Sequence, residues 1–539
     1  MNMNTHKNLT QAILQFDWMI NPCGATAKGV HLYDDKLPPV QMSERQYYIN
    51  IAKNLLEQIE DLLKQKLTLD EEIDLLVGKE YLIRTIADEN ILALWLKSPM
   101  HYIGIIAQGL NSLLTPPIES TKAQALHQRI IDSKKILIEA KINIQPHNIP
   151  QIWVQPSISS VNGLNKLIEQ TLKPILRDQN LLPSFEQSIQ ELVEALSSFA
   201  QWIQSQEEHA QGEFAVGSEY FNTLLNEFYL VNMTTDELYE FGLEKVKLYE
   251  KKLHELATKL DSTLSWQEQL ANLRKDHPSA NNVIEAYRNE KEAVKKFVTE
   301  KDLVTIPKDE SCIFAETPWY ARASTPLGSM NTSRAFTPGL VSIFNITPID
   351  QQAPLERQLQ HLEENNYSFI KSIAFHEVIP GHHLQACLHK LQSNEFRKNF
   401  YNTVLIEGWG LYTEDLMVEE GYLQGVLQLM QLKNALWRAI RVVIDVGLHT
   451  NKLTFEQAIE LLQQKTGQQR HMAQGEVLRY TQGPTYPSSY MLGREQILNL
   501  RGECEHLWGG EYSKKRFHDT LLSYGSLPVS LIRRLILEK

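Results

Sequence analysis

Apolar positions recur at three- and four-residue spacing along nearly the whole chain, the period of helices that bury one face. Leu238, Phe241, Leu248, Leu253 and Leu260 mark one such helix. Thr234-Thr235-Asp236-Glu237 at its start reads as a capping box, in which the Thr and Glu side chains each satisfy a backbone N–H. Thr454-Phe455-Glu456-Gln457 opens another helix, and Gly467 closes it by accepting the left-handed conformation in which helices end. Between residues 40 and 210 the helical pattern is broken at Ser98-Pro99, Thr115-Pro116-Pro117, Pro146 to Pro150 and Leu182-Pro183, because proline lacks an N–H and clashes with the preceding turn. The period reveals no internal repeat.

The pattern changes between about 303 and 348. Leu303-Val304-Thr305-Ile306-Pro307, Cys312-Ile313-Phe314-Ala315 and Leu340-Val341-Ser342-Ile343-Phe344-Asn345 are short β-favouring runs amid Pro, Gly and Ser. They predict a small sheet, and the 340–345 run is expected to offer a free strand edge that an extended peptide can join. The expected architecture is mainly α and two-lobed. A helical lobe spans 1–300, and a second lobe over 301–539 holds the sheet and the segment that follows it.

That segment carries the chemistry. His376-Glu377-Val378-Ile379-Pro380-Gly381-His382-His383 is followed by Glu407-Gly408-Trp409. Two neutral imidazoles and a carboxylate can hold Zn²⁺ with a fourth position open to water, and a glutamate beside the first histidine can take that water's proton. The spacing is irregular. In H-E-x-x-H the second ligand lies four residues on, on the same helical face, but here that place is Pro380. His383 returns to the face of His376, yet at 1.5 Å per residue it lies roughly 10 Å along the axis. A kink or π-type bulge at Pro380-Gly381 would bring His382 into position, so His382 is the favoured ligand and His383 the alternative. Glu407, in the apolar run Val404 to Gly410, wants a cation partner and is the third ligand. Glu414, seven residues on, is placed to orient a ligating imidazole. A bare His-Glu pair has no such meaning: His254-Glu255 lies in a charged helical run and reads as a solvated face.

Composition narrows the classes. A chain of 539 residues that is 42% hydrophobic can bury a large core. A net charge of −12 argues against a nucleic-acid partner. Cys23, Cys312, Cys387 and Cys504 are scattered without a Cys-x-x-Cys, which fits a reducing compartment. No stretch reaches the ~20 apolar residues of a membrane span, and residues 1–17 lack the pattern of a secretory signal. The expectation is a cytoplasmic protein with no membrane partner.

His-Glu-x-x-Pro-Gly-His-His-x-Gln (376–385) and Glu-Gly-Trp-x-Leu-Tyr-x-Glu (407–414) resemble the bacterial family catalogued as domain of unknown function 885, itself similar to helical gluzincin metallopeptidases. The resemblance covers most of the chain. It extends to Pro22, Ala25-Thr26, Gly29, His31 and Tyr33-Asp34, to Gly217 and Tyr220, to Thr337-Pro338-Gly339 with Asn345, and to Arg479-Tyr480, Pro484, Ser489-Tyr490, Gly493, Ile497 and Arg501. Where the family tends to have Gln-Ala, this chain has Tyr486-Pro487. The resemblance implies His376, His382 and Glu407 as zinc ligands and Glu377 as general base.

The expected activity is hydrolysis of short peptides, as an oligopeptidase or carboxypeptidase. Tyr490 is the expected donor to the oxyanion, with Tyr486 and Tyr480 behind it. Tyr486, Asn345 and Arg501 are expected at the substrate, Arg501 and Arg494 being available to pair a terminal carboxylate. Two other readings keep the same residues: a metal-dependent hydrolase of a non-peptide amide or ester, and a non-catalytic metal- or peptide-binding protein.

Overall fold

The computed structural model describes residues 5–115, 117–317, 322 and 327–538. Pro116, in one of the expected breaks, lies outside them. The described chain is mainly helical with one small sheet, and it divides into two compact units, with the main boundary in sequence between Val216 and Gly217.

The first unit has no strand among its described residues. Its helices begin where the prolines placed the breaks. Ser98 caps the Pro99–Asn111 helix by accepting from the His101 N–H at 3.3 Å, and Leu182–Ser205 starts with Pro at its first turn. Ile106, Leu126, Ile130, Leu192 and Phe199 are fully buried at its centre. The N-terminal pattern that resembles the family has a packing role here. Thr26 Oγ1 donates to Asp34 at 2.7 Å and accepts from the buried Arg129 guanidinium at 2.8 Å, which also donates to the Gly109 and Tyr33 carbonyls.

The second unit begins earlier than expected. The helix Thr235–Leu260 packs along Val426–His449 and belongs to this core, so the boundary falls near 217 rather than 300. Gly242 makes the close approach possible: a Cβ there would lie 2.9 Å from Val443 and 3.1 Å from Val442. The change of pattern at 303 marks a change of secondary structure, not of core. His254 and Glu255 are exposed on the same helix.

Three strands form the sheet, β1 (Glu310–Glu316), β2 (Gly328–Asn331) and β3 (Leu340–Ile346), in the order β1-β3-β2. β1 runs parallel to β3 with Glu310 opposite Leu340, and β2 runs antiparallel with Asn331 opposite Ile343. The 340–345 run is therefore the central strand, its backbone paired on both sides, and not a free edge. The run Leu303–Pro307 is no strand either. The Thr305 N–H donates to the Asp519 side chain at 2.7 Å, and the Leu303 carbonyl accepts from His518 at 2.7 Å. Pro307 offers no N–H to a ladder.

Candidate metal centre

The helix Tyr367–Ile373 runs into a π-helical turn, Ala374–Val378, breaks at Ile379 to Gly381, and resumes as His382–Leu391. A wide turn followed by a break strands backbone carbonyls. The helix Thr403–Glu419 supplies the donors: Trp409 Nε1 donates to the Pro380 carbonyl at 2.8 Å and Thr413 Oγ1 to that of Phe375 at 3.4 Å. Gly381 is required at the break, since a Cβ would stand 1.7 Å from the His376 carbonyl oxygen.

Through this break His376 and His382 come together with ring centroids 5.0 Å apart and planes at 88°. Each ring is held by one nitrogen. His376 Nδ1 bonds to Glu414 at 3.0 Å and His382 Nδ1 meets Gln385 at 3.4 Å, so both present Nε2. Gly410 on the neighbouring helix leaves room for them; a Cβ there would lie 2.9 Å from both rings. His376, Glu377 and His382 offer ligand atoms that all lie within 4.8 Å of one another. Glu407 Oε2 is 3.6 Å from His382 Nε2. Two ligands 2.0–2.1 Å from a tetrahedral zinc stand roughly 3.3 Å apart, so the donor set fits that ion.

The electrostatics suit a cation. Burial disfavours charge on His382, but Glu407 and Glu377 outweigh it and raise the imidazole to about 9. Burial likewise opposes charge on Glu407, yet His382, Tyr486 and His376 hold its carboxyl at about 2. Glu414 is buried and kept below the usual carboxylate range: burial works against it, and Arg438, His376 and Asn434 prevail. Asn434 donates to its second oxygen at 3.2 Å.

The opposite wall comes from the helix Tyr486–Trp508, which packs against Thr403–Glu419 through paired glycines. A Cβ on Gly408 would lie 2.4 Å from Gly493, and one on Gly493 1.8 Å from the Val404 carbonyl oxygen. That close crossing brings Tyr486 OH to 2.9 Å from Glu407 Oε1, where it donates, and Tyr490 OH to 3.0 Å from Tyr486 OH. Burial and Glu407 raise the Tyr490 phenol. Beside Glu377 a cavity of about 80 Å³ is lined by Gly328 to Met330 of β2 together with Tyr287 and Phe344.

The model of the family described as "Bacterial protein of unknown function (DUF885)" matches residues 22–536. The chain belongs to this family. Two solved structures are similar to it. One, described as a candidate lipoprotein of unknown function from Shewanella oneidensis, is 23% identical with a TM-score of 0.82, covering 99% of this chain and 100% of that one. The other, described as a candidate lipoprotein from Colwellia psychrerythraea, is 17% identical with a TM-score of 0.83, covering 99% of each chain. These likenesses concern the fold. No curated protein matches the chain.

In this DUF885 chain the predicted residues divide. His376, Glu377, His382, Glu407, Glu414, Tyr486 and Tyr490 converge. His383 points the other way: it is fully buried, with Nδ1 2.7 Å from Ser342 Oγ and Nε2 2.7 Å from Glu310 Oε2. Asn345 alternates with Ser342 and Phe344, so it lies on the face of β3 opposite His383. Arg501 is taken up by Glu419 at 2.9 and 3.0 Å and by Tyr412 OH at 3.1 Å, and Arg494 by Asp415 and Glu495. Neither arginine is available to a substrate. Tyr480 bonds to Arg441 and Glu476 instead of facing the imidazoles. Sequence reasoning missed Arg438, Asn434 and Gly410. The available signal was the placing of Lys433, Arg438 and Arg441 in the largely buried helix Val426–His449.

Proposed function

We propose that this DUF885 protein is a zinc-dependent hydrolase of short peptides, similar in its chemistry and two-lobed helical form to the gluzincin metallopeptidases. One observation carries the reading: two imidazole Nε2 atoms and the Glu407 carboxylate converge, with Glu377 beside them and a tyrosine pair opposite. His376, His382 and Glu407 would hold the ion. Bound Zn²⁺ would supply a Lewis acid for the scissile carbonyl and a water acidic near neutral pH.

This chain's residues do the rest. Glu377 accepts the water's proton and passes it to the leaving amine. Glu414 fixes the tautomer and direction of His376, as carboxylates behind ligating histidines do. Tyr486 spends its hydroxyl proton on Glu407 and so orients the carboxylate. Tyr490 then donates to the Tyr486 oxygen in the resting site, and its hydroxyl would rotate to give that proton to the developing oxyanion. β2 is an edge strand whose residues line the cavity at Glu377, and an extended peptide can add to such an edge by backbone hydrogen bonds.

Replacing Glu377 by Gln tests the assignment. The variant should bind one zinc per chain and lose peptide turnover by about 10³-fold or more, since a general base supplies roughly 10²–10⁴. Loss of zinc in the same variant would make Glu377 a ligand and end this mechanism. Turnover of amides or esters by the zinc protein, with no peptide cleaved, would favour the non-peptide hydrolase. Location is part of the proposal. No described helix is long and apolar enough to cross a membrane, and fractionation of cells expressing the natural gene decides between the cytoplasm and the envelope site that the lipoprotein descriptions would imply.

A further inference from the structure

The helix Val426–His449 carries polar groups that the proposed reaction does not use. Trp437 Nε1 and Arg438 Nε are buried and have no hydrogen-bond partner among the described residues. Lys433, one helical turn before Trp437, is half-buried and pairs with no described carboxylate. Its charged neighbours, Arg274 and Arg438, are both cations, and together with burial they lower its pKa to about 8. Trp437 Nε1, Arg438 Nε and the Lys433 ammonium are all donors without an acceptor among the described residues, although the same Arg438 guanidinium donates through Nη1 to the Asn434 carbonyl at 3.4 Å. Buried donors in native proteins are almost always satisfied, and an exception calls for an explanation.

Arg438 ties this donor set to the metal centre. Its Nη2 lies 3.6 Å from Glu414 Oε1, the oxygen that holds His376, and its guanidinium carbon is 5.9 Å from the Tyr490 ring centroid. Arg441, further along the helix, differs: Tyr480 and Glu476 already satisfy it. On this helix the charge without a described carboxylate is therefore that of Lys433, with the spare donors Trp437 Nε1 and Arg438 Nε on the same stretch, next to the wall that carries Tyr490. A carboxylate has two oxygens, accepts several hydrogen bonds and brings the missing negative charge.

We propose that Lys433, Trp437 and Arg438 form a carboxylate-binding subsite that captures an anionic end of the peptide substrate. The inference rests on the peptidase reading and narrows its substrate class to peptides with a carboxylate close to the scissile bond. The carboxylate is either the C-terminal group or the side chain of an acidic residue. It also moves the carboxylate anchor from Arg494 and Arg501, which are neutralised within the protein, to the Lys433 ammonium, which has no described carboxylate, and the spare N–H groups of Trp437 and Arg438.

The test uses the zinc-loaded Glu377→Gln protein and calorimetry with three probes: acetyl-trialanine as the free acid, its C-terminal amide, and the amide with glutamate in third place. The free acid should bind at least tenfold tighter than the plain amide. Lys433→Met should bring that ratio within twofold, and Trp437→Phe, which keeps an aromatic ring and removes the donor, should cut it about threefold. If the glutamate amide regains the affinity that the plain amide loses, the captured group is a side-chain carboxylate. Equal binding of all three peptides, or a preference that survives Lys433→Met, overturns the subsite and leaves the peptidase reading standing. If no peptide binds, thermal stabilisation by succinate that Lys433→Met abolishes would keep the carboxylate site and remove the peptidase. No response to succinate as well overturns both.

Discussion

Two histidine clusters lie on opposite flanks of the segment 374–391, and they differ in what they leave unanswered. On one flank His383 sits between Ser342 and Glu310, both of its nitrogens bonded at 2.7 Å, and Lys295 pairs with the same Glu310. The side chains of His383, Ser342 and Glu310 all have partners and are buried, and of this cluster only Lys295 reaches solvent. The arrangement has the order of a Ser-His-Glu relay, but a fully buried serine meets no substrate. On the other flank His376 and His382 each spend Nδ1 on the protein and turn Nε2 toward Glu407 and Glu377. The lesson is that neither burial nor a histidine–carboxylate pair marks a site. The proposed centre rests instead on convergent ligand atoms left over once the local hydrogen bonds are made.

The largest effect should come from deleting histidines one at a time. His376→Ala or His382→Ala should weaken zinc binding by well over 100-fold, because loss of an outer partner alone costs about 10–100-fold. His383→Ala should still bind one zinc per chain and should lose stability. Metal content and denaturant midpoints of the three variants, measured together, test the contrast. Zinc lost from His383→Ala but kept in His382→Ala would invert it.

Next comes the sealed flank. Burial raises Glu310, but His383 and Lys295 hold its carboxyl down at about 2, against about 4.3 for an unperturbed glutamate. A carboxyl depressed in the folded state stabilises the protein above its unfolded pKa, and that contribution is lost as pH falls through the folded one. The wild-type protein should therefore lose about 3 kcal/mol between roughly pH 4.5 and 2 from this group. Glu310→Gln should be less stable at neutral pH and flatter across that window, with zinc content unchanged. Parallel pH–stability curves for the two proteins would remove Glu310 from this role.

How much of this was legible follows from the same contrast. The capping boxes at Thr234 and Thr454 form as read, and so does the break at Pro380-Gly381, because each is set by neighbours in sequence. The convergence of His376, His382 and Glu407 could be read from a broken helix and a buried carboxylate. Strand order could not. β3 is central because β1 pairs parallel to it across a long connection, and the period of a strand says nothing of its neighbours. The fates of Arg494 and Arg501 were equally out of reach. Asp415 and Glu419, which occupy them, lie about eighty residues away and meet them only because Gly408 and Gly493 let two helices touch. The unit boundary was missed for a similar reason, since Thr235–Leu260 joins its core through a partner nearly two hundred residues on.

The smallest expected effect is the sharpest test of the open flank, because it separates metal binding from folding. Gly410 lies inside the helix Thr403–Glu419, where alanine is favoured over glycine by about 1 kcal/mol. A substitution there should not destabilise that helix on its own account. A Cβ at this position, however, would stand 2.9 Å from His376 Cε1, His382 Cε1 and His382 Nε2, so at least one ring must shift by several tenths of an ångström. Zinc requires its ligands at about 2.0–2.1 Å with tetrahedral directions, and a displaced imidazole meets that demand poorly. Gly410→Ala should accordingly bind zinc about tenfold more weakly, toward the low end of the range for perturbed ligand support, with a melting temperature in the presence of a chelator close to that of the wild type. A matching fall in chelator-treated stability would mean that Gly410 serves packing, as Gly408 does. Unchanged zinc affinity would mean that these two rings do not hold the ion in this arrangement, and the open flank would then differ from the sealed one only in its exposure.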